Sequence, residues 1–333
     1  MSIVNQLSNS NRMRDRLVNN RNGFTYIANI TVLSFALLMF LAVDDPIHQF
    51  RYLCFMCLGL GFFASSFYMY WIREVPLSES AVKYDKAYKE AVMGKEALEQ
   101  MLKNEEDKSK KTVSKDWKAW LGEGTFYVHG MVYMLVRIAV NVTMTMQPFY
   151  LDKVTGFSPT PEDQTPFPLA AVPLLSYVFS MIFSIFFQQK MTRYLRNRMY
   201  PMFVSIIIIS VSSIPLAFLE NNGGRYVVYP LAAFQGVGIA IMMNTATSLI
   251  SDVIGNDSEN SAFVYGCYSL FDKFANGALL YWMIASYADD PYALKYIISI
   301  VPTICSIFAF ILTYIGNKYF SHKLAKITGI RQK

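Results

Sequence analysis

The sequence predicts an all-α membrane protein of about eight transmembrane helices, and three observations carry that expectation. Of the 333 residues, 53% are hydrophobic and only 16% are charged, whereas a soluble domain keeps roughly a quarter of its residues charged. The apolar residues gather in runs of about 20, the length a helix needs to cross a hydrocarbon core of about 30 Å. Those runs lack the alternation of barrel strands, and Tyr68, Tyr70, Trp71, Trp117, Trp120 and Tyr150 stand near their ends, where interfacial anchors belong.

In chain order the spans fall at 24–43, 52–71, 125–150, 167–188, 201–219, 226–250, 261–287 and 296–317. The opening "MSIVNQLSNSNRMRDR" has no apolar core behind its charges and does not read as a signal peptide. After the second span comes the one long polar stretch, 72–124. Its "YDKAYKEAVMGKEALEQMLKNEEDKSKK" is a charged helix former with Tyr84, Tyr88, Val92 and Leu98 near helical spacing, which suits a tether along the membrane surface or a helix that binds a partner. Lys and Arg orient the chain. If both termini lie on one side, that side holds 24 of the 30, the other holds Arg51, Lys153, Arg225 and Lys295, and Arg137 and Lys273 fall within spans. The asymmetry places both termini in the cytoplasm. The net charge of +6 therefore reads as basic membrane-facing loops, and no nucleic-acid partner is expected.

Two spans carry polar stripes. The third places His129, Tyr133, Arg137, Asn141 and Thr145 four apart, on one face of a helix, and the seventh places Tyr265, Ser269, Asp272 and Asn276 at steps of four, three and four. Counted at 1.5 Å per residue from the cytoplasmic ends, Arg137 and Asp272 both lie about 16 Å deep, near mid-membrane. An ionisable group at that depth is costly and marks a functional site unless it serves only as a structural pair. Arg137 and Asp272 are thus expected to face one water-accessible cavity and to pair across it. Lys273, about 100° round the helix, is expected on a different face, and His129 near the helix end as an interfacial, snorkelling side chain. The sixth span adds Asn244, Thr245, Thr247 and Ser248, with Asp252 at its cytoplasmic end and Gly236 and Gly238 for close helix contact. The fifth and eighth spans are the most uniformly apolar and are expected to face lipid.

No HExxH, GxSxG or Gly-rich phosphate loop is present, and His48, His129 and His322 lie far apart, so neither enzyme chemistry, a metal site nor a cofactor is expected. Cys54, Cys57, Cys267 and Cys305 all fall in apolar segments and read as small core residues.

The segments "RNGFTYIANITV", "WLGEGTFYVHGMVYMLVRIAVN" and "LISDVIGNDSENSAFVYGCYSLFDKFANG" resemble the major facilitator superfamily, in the branch of its domain-containing protein 12, which is related to the glycoside–pentoside–hexuronide:cation symporters. The resemblance runs from about residue 5 to 320. It implies that residues 1–73 hold the last two helices of an N-terminal bundle and 74–124 the central cytoplasmic loop. Residues 125–320 then form a complete C-terminal six-helix bundle, and 321–333 a cytoplasmic tail. Helices one to four of the twelve-helix pattern are absent, and "MSIVNQLSNSNRMRDR" looks like the end of helix four and the loop after it. No cation-binding carboxylate can be carried over, since those lie in the absent part. The segment "QQKMTRYLRNRMY" stands where the superfamily has a cytoplasmic gate motif. It keeps Lys190, Arg193, Arg196 and Arg198 but lacks the Gly and Asp of that motif.

The function expected is that of a secondary active transporter of symporter type, moving a small polar solute such as a sugar or an amino acid by alternating access across an organelle or plasma membrane. Its cavity residues are Tyr133, Arg137, Asn141, Asn244, Tyr265, Ser269, Asp272 and Asn276, and its gating residues Asp252 and Lys273. Its partners are the solute, the bilayer, a coupling cation and a chain supplying the first four helices. The alternative is a non-transporting structural subunit of a larger membrane assembly.

Overall fold

A computed structural model describes residues 11–43, 45–71, 117–157, 167–195, 197–219, 225–254 and 261–328, and every regular element among them is helical. The long helices are α1 (Asn11–Ala42), α2 (Pro46–Trp71), α4 (Gly124–Lys153), α8 (Val228–Ile254), α9 (Ser261–Tyr287) and α10 (Pro291–Thr328). The short α3 (Trp117–Leu121) leads into α4. A further span is composite: α5 (Phe167–Ile182) passes through a π-turn (Phe183–Phe187) into α6 (Gln188–Leu195). Another joins α7 (Met199–Ser213) to a 3₁₀ turn (Ile214–Ala217). Among the described residues seven helical segments are long and apolar enough to cross a membrane. The eighth expected span is α9, 27 residues long, whose Asp272, Lys273 and Asn276 hold it below that apolarity.

Two boundaries differ most from the expected ones. α1 starts at Asn11 and not at 24, so the residues expected to form a loop continue the helix. Hydropathy cannot see this stretch, because its polar side chains are buried against neighbouring helices: Arg14, Asn19 and Asn22 are all buried, and Asn22 bonds to Asn244 of α8. α10 likewise continues through Thr328 into the expected tail. The expected loop helix within 72–116, Arg196 and the residues after 328 lie outside the described residues.

Two helices open with the same local chemistry. In "DDPIHQF" the Asp45 carboxylate accepts from the Ile47 N–H at 3.0 Å, and in "DDPYALK" Asp290 accepts from the Tyr292 N–H at 2.9 Å. Each Asp caps donors that would otherwise lack a helical partner, and the following Pro costs nothing at the first helical position. Hydrogen bonds from His48 and from the Ile47 N–H hold the Asp45 carboxyl below its ordinary value.

α8 is the central helix of the bundle: 89% of its most apolar window is buried, against none of that of α2. It packs on α7 and α5, while α4 lies along α10 and α1 lies against α5. Small residues allow the α5–α8 approach. Ser176 Oγ donates to the Ala232 carbonyl at 2.9 Å and Ser180 Oγ to the Gly236 carbonyl at 2.7 Å. A Cβ added at Gly236 would stand 2.2 Å from the Ser176 carbonyl oxygen.

The helices expected to face lipid do so on one side only. α7 and the turn after it expose Phe203, Ile207, Val211 and Ile214, spaced four, four and three, while Met202, Ser205 and Ile209 are buried. α10 exposes Tyr296, Ile300, Ile304, Ile307 and Ile311 and buries Ile298, Cys305 and Ala309.

Buried tyrosines tie distant helices through their hydroxyls. Tyr150 donates to the Leu216 carbonyl at 2.7 Å and Tyr268 to the Phe126 carbonyl at 2.6 Å. Tyr150→Phe leaves a buried carbonyl without its donor and is expected to cost about 1 kcal/mol. Thermal unfolding in detergent reads this as a lowered midpoint, and an unchanged midpoint would remove the bond from the account of stability.

Candidate functional site: a polar cavity between α1, α4 and α9

A cavity of about 670 Å³ opens between α1, α4 and α9, a size typical of small-molecule sites. α4 contributes Tyr133, Arg137, Asn141 and Met144, one face of the helix at steps of about four. α9 contributes Tyr265, Ser269, Asp272 and Lys273. Tyr177 of α5 and Met243 of α8 complete the wall.

On this wall Arg137 Nε donates to Asp272 Oδ2 at 3.2 Å. The Asp272 side chain is 5% exposed and that of Arg137 31%, so the carboxylate is buried and the guanidinium reaches the cavity. Asn276 fixes the carboxylate from one turn further on: its Nδ2 donates to Asp272 Oδ1 at 2.7 Å and to the Asp272 carbonyl at 2.9 Å.

Tyr133, Arg137, Asn141, Tyr265, Ser269 and Asp272 thus stand together on the wall, and four expectations need correction. Asn276 does not line the cavity, because it turns back to hold Asp272. Asn244 is fully buried away from it: its Oδ1 accepts from Asn22 Nδ2 at 2.7 Å and its Nδ2 donates to Ser184 Oγ at 3.0 Å. A polar residue on a membrane helix serves helix–helix contact as readily as a cavity, and Asn244 joins α1, α8 and the π-turn. Lys273 does not occupy a separate face, since the cavity is wide enough to include both it and Asp272. His129 does not snorkel. It is 3% exposed, Nδ1 lies 2.9 Å from the Thr125 carbonyl, and its ring packs beside Gly316 of α10.

The sequence reading missed a whole wall. Arg21, Asn22, Thr25, Tyr26 and Asn29 of α1 face the cavity at spacings of one helix turn. Arg21, counted above among the basic residues outside the spans, is one of them. The signal was present as polar residues at 21, 25 and 29, but a span begun at residue 24 cuts across the stripe.

A second charged cluster lies apart from the cavity. Arg198, just before α7, donates from Nη2 to both oxygens of Asp15 on α1, at 2.6 and 2.8 Å. Its Nε donates to Asp252 Oδ2 near the end of α8 at 3.0 Å. Burial opposes the charge, but Asp252 and Asp15 outweigh it and hold the guanidinium above its ordinary value. The segment lacking the gate motif's Gly and Asp therefore obtains its acidic partners from two other helices. Among the described residues no three His, Cys, Asp or Glu side chains gather as a metal site.

The sequence matches the Major Facilitator Superfamily, a superfamily of membrane transporters, over residues 2–280, and the chain belongs to it. Among curated proteins it is similar to major facilitator superfamily domain-containing protein 12 of Mus musculus, 29% identical over 295 residues that cover 83% of this chain and 56% of the mouse protein. The Homo sapiens and Equus caballus proteins of that name are 33% identical over 162 residues, covering 48% of this chain and 31% of theirs. The chain thus spans about half the length of the mouse relative. No solved structure matches it.

Proposed function

We propose that this chain forms the greater part of a secondary active transporter, of symporter type, in which the cavity between α1, α4 and α9 holds a small polar solute. The observation that carries the reading is the Arg137–Asp272 pair on the wall of a cavity of about 670 Å³ inside a membrane bundle. Charges at that depth are retained where they serve a solute or ion path. By resemblance the solute is a sugar or an amino acid such as cysteine, and a cation is coupled to its movement.

In the same reading α1 and α2 are helices five and six of the twelve-helix pattern, within 1–73. The stretch 74–124 is the central loop, residues 125–320 are the six helices of the second bundle, and 321–333 are the tail. Both termini face the cytoplasm, and a chain segment supplies helices one to four. The cavity then lies near mid-membrane between α1, α4 and α9, and the Asp15–Arg198–Asp252 cluster, nearer the cytoplasmic ends of its helices, acts as a gate on that side. Alternating access requires such a cavity to open to each side in turn.

Uptake of radiolabelled cysteine and glucose into vesicles bearing the native-length protein tests the pair. Arg137→Gln and Asp272→Asn are each expected to lower uptake at least roughly tenfold, the loss of about 1.4 kcal/mol of stabilisation. If Arg137→Asp combined with Asp272→Arg restores uptake, the pair acts by joining α4 to α9. If it does not, each charge meets the solute in its own place. Uptake unchanged in both single variants would remove the cavity from the path.

A second reading is a structural subunit of a larger assembly: among the described residues α2 packs on α1, and its outward Phe55, Phe62, Phe63, Met69 and Tyr70 offer a surface to a partner subunit as well as to lipid. Co-purification at fixed stoichiometry with a large complex, without uptake, would support that reading over transport.

A further inference from the structure

We infer that the cavity between α1, α4 and α9 takes an anionic solute, with the Arg21, Arg137 and Lys273 side chains as its counter-charges. The inference rests on the proposed role of this cavity as the solute site. Three cations line the cavity, and Asp272 is the acidic residue among the described residues on its wall. That carboxylate is already engaged, by Arg137 Nε on one oxygen and Asn276 Nδ2 on the other. It is 5% exposed on its side chain and has little surface left to offer a cationic group.

The cations are in the opposite condition. Arg137 gives only its Nε to Asp272, and its two terminal nitrogens make no hydrogen bond to the described residues. Arg21 and Lys273 have no side-chain hydrogen bond or ion pair among the described residues, and both face the cavity. After the Arg137–Asp272 pair is set aside, two positive charges remain among the described residues on the wall of one cavity within the membrane span. A cation at that depth requires a counter-charge or water, and a cleft lined by one sign of charge concentrates ions of the other. The remaining polar groups on the wall suit the same ligand: Tyr133, Thr25 and Ser269 carry hydroxyl donors and Asn141 an amide donor. A carboxylate- or phosphate-bearing solute would meet guanidinium and ammonium donors, with hydroxyls to complete its shell.

Ser269→Cys in a background with Cys54, Cys57, Cys267 and Cys305 replaced by Ser reads the sign of the cavity without a known substrate. The probes are a sulfonate-bearing and a trimethylammonium-bearing methanethiosulfonate reagent, with each rate normalised to that of a thiol free in solution. The sulfonate reagent is expected to be favoured by roughly tenfold or more. Arg21→Gln and Lys273→Gln should each reduce that preference, and millimolar succinate or inorganic phosphate should slow labelling where glucose does not. Asn141→Cys provides the same reading if the Ser269 variant fails to fold. Labelling that favours the trimethylammonium reagent, or that glucose slows and succinate does not, overturns the inference and leaves the cavity as solute site standing. Labelling by neither reagent at either position overturns both.

Discussion

Arg198→Ala is expected to lower the stability of the folded protein by about 3 kcal/mol or more, as removal of one member of a buried charge cluster does. The guanidinium stands between Asp15 and Asp252, with all three side chains less than a fifth exposed. Without it two carboxylates from α1 and α8 face each other, with the neighbouring Arg14 left as the cation close to both. The expected readout is a lowered unfolding midpoint in detergent and weaker retention of α1 against the bundle. Asp15→Asn and Asp252→Asn introduced together with Arg198→Gln should recover much of the loss, because a neutral hydrogen-bonded cluster carries no repulsion. Equal stability of Arg198→Ala and the wild type would show that the cluster does not hold α1.

Gly236→Val is the second large effect. The Cβ alone would lie 2.2 Å from the Ser176 carbonyl oxygen and 2.9 Å from its carbon, and backbone cannot move aside as a side-chain tip can. α5 and α8 would have to separate, which breaks the bonds from Ser176 Oγ to Ala232 and from Ser180 Oγ to Gly236. Overpacking of this kind costs typically about 1–3 kcal/mol, and each lost bond adds about 1 kcal/mol. Gly266→Ala is the matched control, since nothing stands within 4 Å of a Cβ there. Loss of monodisperse protein for Gly236→Val but not Gly266→Ala is the expected outcome, and equal yields would contradict the close contact.

The walls of the cavity were legible in the sequence to different degrees, for physical reasons. α4 and α9 declared themselves because Tyr133, Arg137 and Asn141, and Tyr265, Ser269 and Asp272, recur at helical spacing inside apolar runs. The α1 wall was hidden because Arg21, Thr25 and Asn29 straddle the edge of an apolar run, where a hydropathy window assigns polar residues to a loop. Asn276 continues the α9 stripe at helical spacing and Asn244 is one of several polar residues on the sixth span, so both are expected at the cavity. That polarity is used elsewhere, in a bond to Asn22 and in a grip on Asp272, and only the packing of helices distant in sequence decides between the two uses. The Arg198 cluster spans Asp15 to Asp252, and no local pattern relates residues so far apart. The overall class was plain, since long apolar runs in a charge-poor chain leave helices as the economical way to satisfy the backbone in lipid.

The central claim, that this cavity is a solute site opened to each side of a membrane in turn, is tested most directly by the sidedness of labelling. The cysteine-substituted protein carrying Ser269→Cys, in sealed vesicles of known orientation, would be exposed to a membrane-impermeant maleimide from one face and then, in a separate sample, from the other. The account predicts labelling from both faces, with each rate changed by Asp252→Asn, which loosens the cluster around Arg198. Labelling from one face alone, whatever the state of that cluster, would contradict alternating access through this cavity.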